Sequence, residues 1–527
     1  MNIKKTTSIL LIGVICAASL VGCGKNPNKS ATAGEASGEF PLQTDVELTY
    51  WCPLPSNISS FTDNCANTVF SEEYEKRTGV KIKYIHPVAG QEKESLSLLI
   101  ASGELPDIIS TNWLNYQGGP SQAIDEGVIV DLGQYKDYAP NYFKILEENH
   151  DYDKAVSTDD GKYYGFATIN SGEKLLTVSG PSVRKDWLDE LGMDYPETID
   201  EWETMLRIFK EKKNASIPFS FDYGSISTVF GMFEARFDPM VKDGKVVYGP
   251  AQPEFKRALE TMNKWFNEGL LDKNIVSVDK SLLESQILSG KTGATFTPGG
   301  TGIGSLQTAG AALDPKFSLN AAPYPTYEKG ATNSAVKVLS PVEGYALAIT
   351  TSCQHPEIAA RVLDYLYSDE GNELANFGIE GETFNYVDGK PVYTDLLTKN
   401  PEGLTMAQAL GKYVRVGTGN GFVVREEYIE QYYGLPQQQS IFDFWAKNVK
   451  SALAETVPAI KVTADESAEY SDIMNEVNKY RNQMIVKFIT GIESIDNFDK
   501  YVETLNKYGL EKAMDIKTKA LERYNAR

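Results

Sequence analysis

Five cysteines, three histidines and 72 acidic side chains are the groups with which this 527-residue sequence could do covalent, metal or acid–base chemistry. His86, His150 and His355 are far apart and two of them precede proline, so no paired-histidine zinc spacing exists and no metal is expected. Neither a G-x-S-x-G nucleophile elbow nor a Cys-x-x-Cys pair occurs. Gly290-Lys291-Thr292 imitates the end of a phosphate-binding loop, but Ser285 stands where that loop requires glycine. Phe296 to Gly302 is glycine-rich without dinucleotide spacing, and implies a loop whose backbone approaches something closely. Asp151, Asp153, Asp159 and Asp160 miss the calcium-loop spacing and fit a solvated hairpin. With so many acids a glycosidase carboxylate pair could meet in a cleft, yet no local motif supports one. No cofactor is expected.

The first residues carry an address. Lys4 and Lys5 precede an uncharged, mostly apolar stretch, Ile9 to Val21, about seven residues short of a membrane span. It ends in Leu20-Val21-Gly22-Cys23, which looks like a lipobox: small residues admit a signal peptidase, and the Cys23 thiol accepts diacylglycerol. Residues 1–22 are therefore expected to be a lipoprotein signal peptide, and residues 23–41, small and polar, a flexible tether. Cys16 leaves with the signal, so Cys52, Cys65 and Cys353 stay in the body. Three thiols cannot all pair; Cys52 and Cys65 could close a small disulfide loop outside the cytosol, and buried free thiols are the equal alternative.

The body can bury a large core: 42% of the residues are apolar and 23% charged. Its net charge of −21 would repel a phosphate backbone, which excludes nucleic acid as a partner. From about residue 45, short strands alternate with amphipathic helices, predicting parallel sheets flanked by helices. Glu47 to Trp51, Val80 to Ile85 and Asp107 to Ser110 are the first three strands. Asp160-Gly161, Asp243-Gly244 and Asp388-Gly389 mark hairpins. Thr198 and Glu201 have capping-box spacing, and Pro356 opens a helix. Beyond residue 440 the pattern is helical, with an apolar stripe through Ile473, Val477, Tyr480, Met484 and Phe488 that suits a core face.

Several segments together resemble the extracellular solute-binding proteins, family 1, of bacterial ABC importers, especially the large lipoproteins of Gram-positive bacteria. They are Ala101 to Ile108, Gly161 to Phe166, Val183 to Gly192, Glu343 to Ile349 and Gly378 to Glu382, in that order. The resemblance implies an α/β, two-lobe periplasmic-binding-protein-like (type II) fold with a hinge and a helical C-terminal part. Residues 42–165 plus 340–385 would form the N-terminal lobe, residues 166–339 plus 386–527 the C-terminal lobe. The hinge would pass near Phe166 to Gly172 and near Ser340 to Tyr345.

The implied function is capture of a sugar or oligosaccharide, without chemistry, by a monomer lipid-anchored to the membrane, and delivery to the transmembrane subunits of an ABC permease. Sugars offer apolar C–H faces and many hydroxyls, so rings and planar hydrogen-bonding groups after the strands are the candidate contacts. These are Trp51 and Ser56, Asn112 and Trp113, Asp222 and Tyr223, Thr297 and Thr301, together with Arg184, Tyr345 and Trp445. Trp187 and Trp202 suit helix cores instead. The competing classes are a lipid-anchored glycoside hydrolase and a surface carbohydrate adhesin.

Overall fold

Strands form where β-branched and aromatic residues alternate with charged ones. In Lys81-Ile82-Lys83-Tyr84-Ile85 the even positions are buried and the lysines face water. The computed structural model describes residues 38–527, and the expected signal peptide, Cys23 and most of the expected tether lie outside them. In chain order the strands are β1 (Glu47–Trp51), β2 (Lys81–Ile85), β3 (Ile108–Asn112), β4 (Phe166–Asn170), β5 (Ser179–Arg184), β6 (Phe219–Phe221), β7 (Pro239–Lys242) and β8 (Lys245–Tyr248). They continue as β9 (Ala294–Pro298), β10 (Leu319–Ala321), β11 (Val342–Ile349), β12 (Phe384–Val387), β13 (Lys390–Tyr393) and β14 (Val423–Val424).

Two sheets each centre a lobe: one six-stranded, in the order β14-β4-β11-β3-β1-β2, and one four-stranded, in the order β10-β5-β9-β6. Both are mixed, where parallel sheets were expected. The departure comes from strands that enter from the other lobe: β11, following β10, runs antiparallel to β3 and β4, and β5, following β4, runs antiparallel to β9 and β10.

The lobe boundaries also differ from those expected. Residues 166–170, assigned to the second lobe, are β4 of the six-stranded sheet, paired to β11. The crossing follows them, over residues 171–178, and the return crossing over 322–341 ends where β11 begins. Much of 386–424 also belongs to the first lobe: β14 pairs with β4, and Asn57 Nδ2 on helix Ser56–Ser59 donates to Ala407 O on helix Met406–Tyr413 at 3.0 Å. A two-residue strand has no periodicity to detect, which is why the sequence hid this return. A third crossing, over 425–435, leads to helix Pro436–Phe444, which packs on β10.

The three crossings are laced together. Asn170 N–H donates to Pro341 O at 2.7 Å, Leu339 N–H to Leu176 O at 2.9 Å, and Ser171 N–H to Val424 O at 3.1 Å. Gly172 sits against Glu426, whose carboxyl carbon would lie 2.1 Å from any Cβ there.

The Asp243-Gly244 and Asp388-Gly389 turns have positive φ at both residues, as hairpin turns require. The Asp160-Gly161 turn has it only at Gly161, and its flanks shrink to one bridge, Ser157 with Tyr163. The capping box at Thr198 and Glu201 is present. The apolar stripe lies on helix Ala464–Thr490, which buries Met474, Val477, Met484 and Phe488 and packs along helix Pro253–Glu268.

The C-terminal helices thus belong to the second lobe, yet they also reach the first. Lys461 Nζ donates to Ala155 O at 3.3 Å and to Ser157 O, Arg523 pairs with Asp159 at 3.0 Å, and Arg527 Nη1 donates to Ser157 O at 2.7 Å.

Gly180 lies under the Trp445 indole, where an added Cβ would come within 2.3 Å of a ring carbon, so Gly180→Ala should cost about 2 kcal/mol and lower Tm in a thermal melt. Burial, with Arg527 adding repulsion, pulls the Lys461 ammonium down to about 7. Between there and its unfolded value near 10.5 only the unfolded chain holds the proton, so stability climbs with pH by at most about 1.4 kcal/mol per unit, and below about 7 the cost is constant. Lys461→Met should flatten that climb in melts taken from pH 7 to 9.

Candidate functional site

Where β1 and β3 end, the chain turns away through Pro53 and Pro55 on one side and through Asn112 on the other, leaving a cavity of about 360 Å³. Its wall comes from the first lobe: Tyr50, Phe70, Tyr84, Ser110, Glu343, Tyr345 and Arg415 among others. Ligands of open α/β sheets settle at this end of the strands.

Arg415 is the cavity's unusual residue. It is buried, 6% exposed, and forms no ion pair with a carboxylate among the described residues. Nε donates to Asn420 O at 2.8 Å and Nη2 reaches the Tyr50 hydroxyl at 3.4 Å, while Nη1 makes no hydrogen bond within the described residues. Asn420 in turn donates to Ser110 Oγ at 3.2 Å. The turn is built for this: Arg415 and Val416 N–H both donate to Ala375 O, and a Cβ at Gly419 would lie 2.7 Å from Arg415 Cγ. Burial pushes the Tyr84 phenol up to about 12 and raises the Glu343 carboxyl, so the pocket combines neutral hydroxyls, a fixed cation and one acid that resists ionising.

The expected site residues divide into groups. Tyr345 lines the cavity and is 42% exposed. Asn112 is its partner across the strands, half-buried, with its side-chain oxygen spent on Leu114 N–H at 3.1 Å. Ser56 is exposed at the start of its helix, between the lining residues Pro55 and Ile58. Trp51 is buried in β1.

Asp222, Tyr223, Thr297 and Thr301 lie at one end of the four-stranded sheet, where the parallel strands β6 and β9 finish. Asp222 accepts from Gly224 N–H at 3.0 Å, Tyr223 is half-buried, Thr297 is buried against Gly302 and Thr301 is exposed.

Three further expected contacts are, like Trp51, core instead. Trp113 is fully enclosed, its Nε1–H donated to Ala346 O at 3.2 Å. Trp445 is equally enclosed, with Nε1–H shared between Pro181 O and Ala322 O, both at 3.2 Å. Arg184 grips Asp186 at 2.8 and 2.6 Å and lies between the Trp187 and Phe317 rings, 4.6 and 4.3 Å from their centroids. In each case the polar group that would meet a ligand is already satisfied, and satisfied buried groups stabilise the fold.

The glycine-rich loop approaches its own chain: Gln438 Nε2 donates to Gly299 O at 3.0 Å, and Tyr432, Tyr433 and Ile441 occupy the space that side chains at Gly299 and Gly300 would need.

Sequence inspection missed Arg415, Asn420, Tyr50, Tyr84 and Glu343. A signal was there: Gly417, Gly419 and Gly421 at alternate positions around Asn420 mark a backbone folded tightly round something. Cys52, Cys65 and His86 also meet, with ligand-capable atoms within 4.8 Å of one another, although the histidines show no metal spacing in sequence. Both cysteines are free and buried.

Residues 66–373 match the family described as bacterial extracellular solute-binding protein. The fructooligosaccharide ABC transporter substrate-binding protein FusA of Streptococcus pneumoniae is 24% identical, over 97% of this chain and 96% of its own. The polygalacturonan/rhamnogalacturonan-binding protein YtcQ of Bacillus subtilis is 26% identical, over 54% of this chain and 56% of its own. Among solved structures, the alginate-binding protein AlgQ2 without calcium ion has a TM-score of 0.72 at 23% identity, covering 92% of this chain and 100% of that one. FusA in complex with kestose has 0.69 at 22%, covering 91% and 99%. The fold shared with these structures is the two-lobe α/β arrangement of binding proteins.

Proposed function

Because the chain belongs to the bacterial extracellular solute-binding protein family, we propose that it is the substrate-binding protein of an ABC importer, capturing a sugar or oligosaccharide and handing it unaltered to a membrane permease. The observation that carries this reading is the strand-end cavity, lined both by exposed Tyr345 and by buried Arg415, whose Nη1 makes no hydrogen bond among the described residues. A ring binds the C–H face of a pyranose or furanose, and guanidinium N–H groups bind its oxygens. The relatives' names support a carbohydrate, since they specify a fructooligosaccharide and polygalacturonan/rhamnogalacturonan.

Residues at the matching end of the second sheet, Tyr223 and Thr301 foremost, would complete the contacts when the lobes close. A ligand touching both lobes favours the closed state by its difference in affinity for the two, and the permease reads that state. Cys23, carrying diacylglycerol, would keep a monomer beside the permease on the outer face of the membrane, where two acyl chains hold far better than one.

The reading is tested by thermal-shift and calorimetric titration of the protein with kestose, oligogalacturonates and alginate oligomers. A binder gains Tm with ligand concentration. Products appearing at substoichiometric protein would make it a glycoside hydrolase. Tyr345→Ala should weaken the best of these ligands at least tenfold, about 1.4 kcal/mol, with the ligand-free Tm unchanged because the side chain is open to solvent.

A further inference from the structure

β1 and β2 run parallel and in register, Trp51 opposite Ile85, so the next residues along, Cys52 and His86, leave the sheet side by side. The chain then loops through residues 53–64 and returns with Cys65 at the start of a short helical turn, whose Asn64 side chain accepts from Ala66 N–H at 2.8 Å. His86 fastens the two ends of this loop. One ring nitrogen, Nδ1, lies 2.8 Å from Cys52 O and can only donate to it, so Nε2 is the acceptor for Cys65 N–H at 3.2 Å. Both thiols are buried and both border the cavity.

A metal ion would need a ring nitrogen that these backbone bonds already occupy, and the group offers only three ligands. A thiol pair needs neither. We infer that Cys52 and Cys65 are a dithiol that closes into a disulfide across the cavity wall when an exported protein meets a small organic disulfide, with His86 as the positioning residue.

The organic disulfide is the oxidant, and the exchange needs no other co-reactant. The Cys65 thiolate attacks one sulfur of the reagent, R–S–S–R, and expels the first RS⁻. Cys52, giving up its proton, attacks the Cys65 sulfur of the mixed disulfide and expels the second. Two thiol protons end on two RSH molecules, and the two electrons reside there too. A hydrogen bond from the Cys52 thiol pulls the Cys65 thiol down to about 5, which makes Cys65 the attacking partner. The bond would tie down Pro53, Pro55 and Ile58, which border the same cavity.

The test uses the full chain treated with 2-hydroxyethyl disulfide, then denatured, alkylated and digested. Trypsin cuts after Lys29 and Lys76, so both cysteines fall in one peptide. The expected peptide is two hydrogens lighter than its reduced form and takes up no alkylating agent until a reductant is added. Both thiols alkylated after oxidant treatment would overturn the inference, as would one zinc per chain that shields them. His86→Ala should slow closure in native buffer at least tenfold while leaving the rate in denaturant unchanged. Equal native rates would remove His86 from the positioning role, and the wild-type peptide mass decides the disulfide whether or not that variant folds.

Discussion

The strand Val342–Ile349 is the constraint on which the rest depends. It enters the first sheet only after the chain has built the core of the second, and it is paired on both sides, to β3 along Ile108–Asn112 and to β4 along Phe166–Ile169. Its carbonyls do more than pair with strands: Ala346 O takes the Trp113 indole proton, and the close pass of Leu347 O leaves room only for glycine at Gly165, where a Cβ would lie 2.6 Å away. Tyr345 and Glu343, one strand step apart, are carried into the cavity on its exposed end. A register slip of one residue would turn both away and force Ala346 and Ala348 to trade buried faces with the larger Leu347 and Ile349.

Legibility in the sequence follows the range of the interactions. The turns and caps are local and were readable: Asp243-Gly244, Asp388-Gly389 and the Thr198–Glu201 box need only a few consecutive residues. The first three strands were readable for the same reason, from short runs of strand-forming residues, which alternate clearly in Lys81–Ile85. What could not be read is long-range. Nothing in Val423-Val424 announces a partner more than two hundred residues earlier, and so the stretch up to it was placed in the wrong lobe.

The candidate site shows the same division in its chemistry. Tryptophan attracts suspicion in a sequence because it stacks well on sugars, but Trp113 and Trp445 each found a backbone acceptor and an apolar shell, which removes any gain from a ligand. Arg184 is held between two rings and a carboxylate. The residue left with donors to spare is Arg415, whose neighbours are phenols and carbonyls, and that distinction exists only in three dimensions. The glycine-rich loop at Gly299 was rightly expected to approach something closely; its companion is the aromatic segment around Tyr432 and Tyr433.

The lacing of the three crossings has a consequence for durability outside the cell, where proteases abound. Because Asn170, Leu339 and Ser171 bind one crossing to the next, severing a single connection leaves the halves joined by the two survivors and by the C-terminal contacts to residues 154–159. A nicked molecule keeps its halves aligned, and loss of one peptide bond there is not loss of the protein.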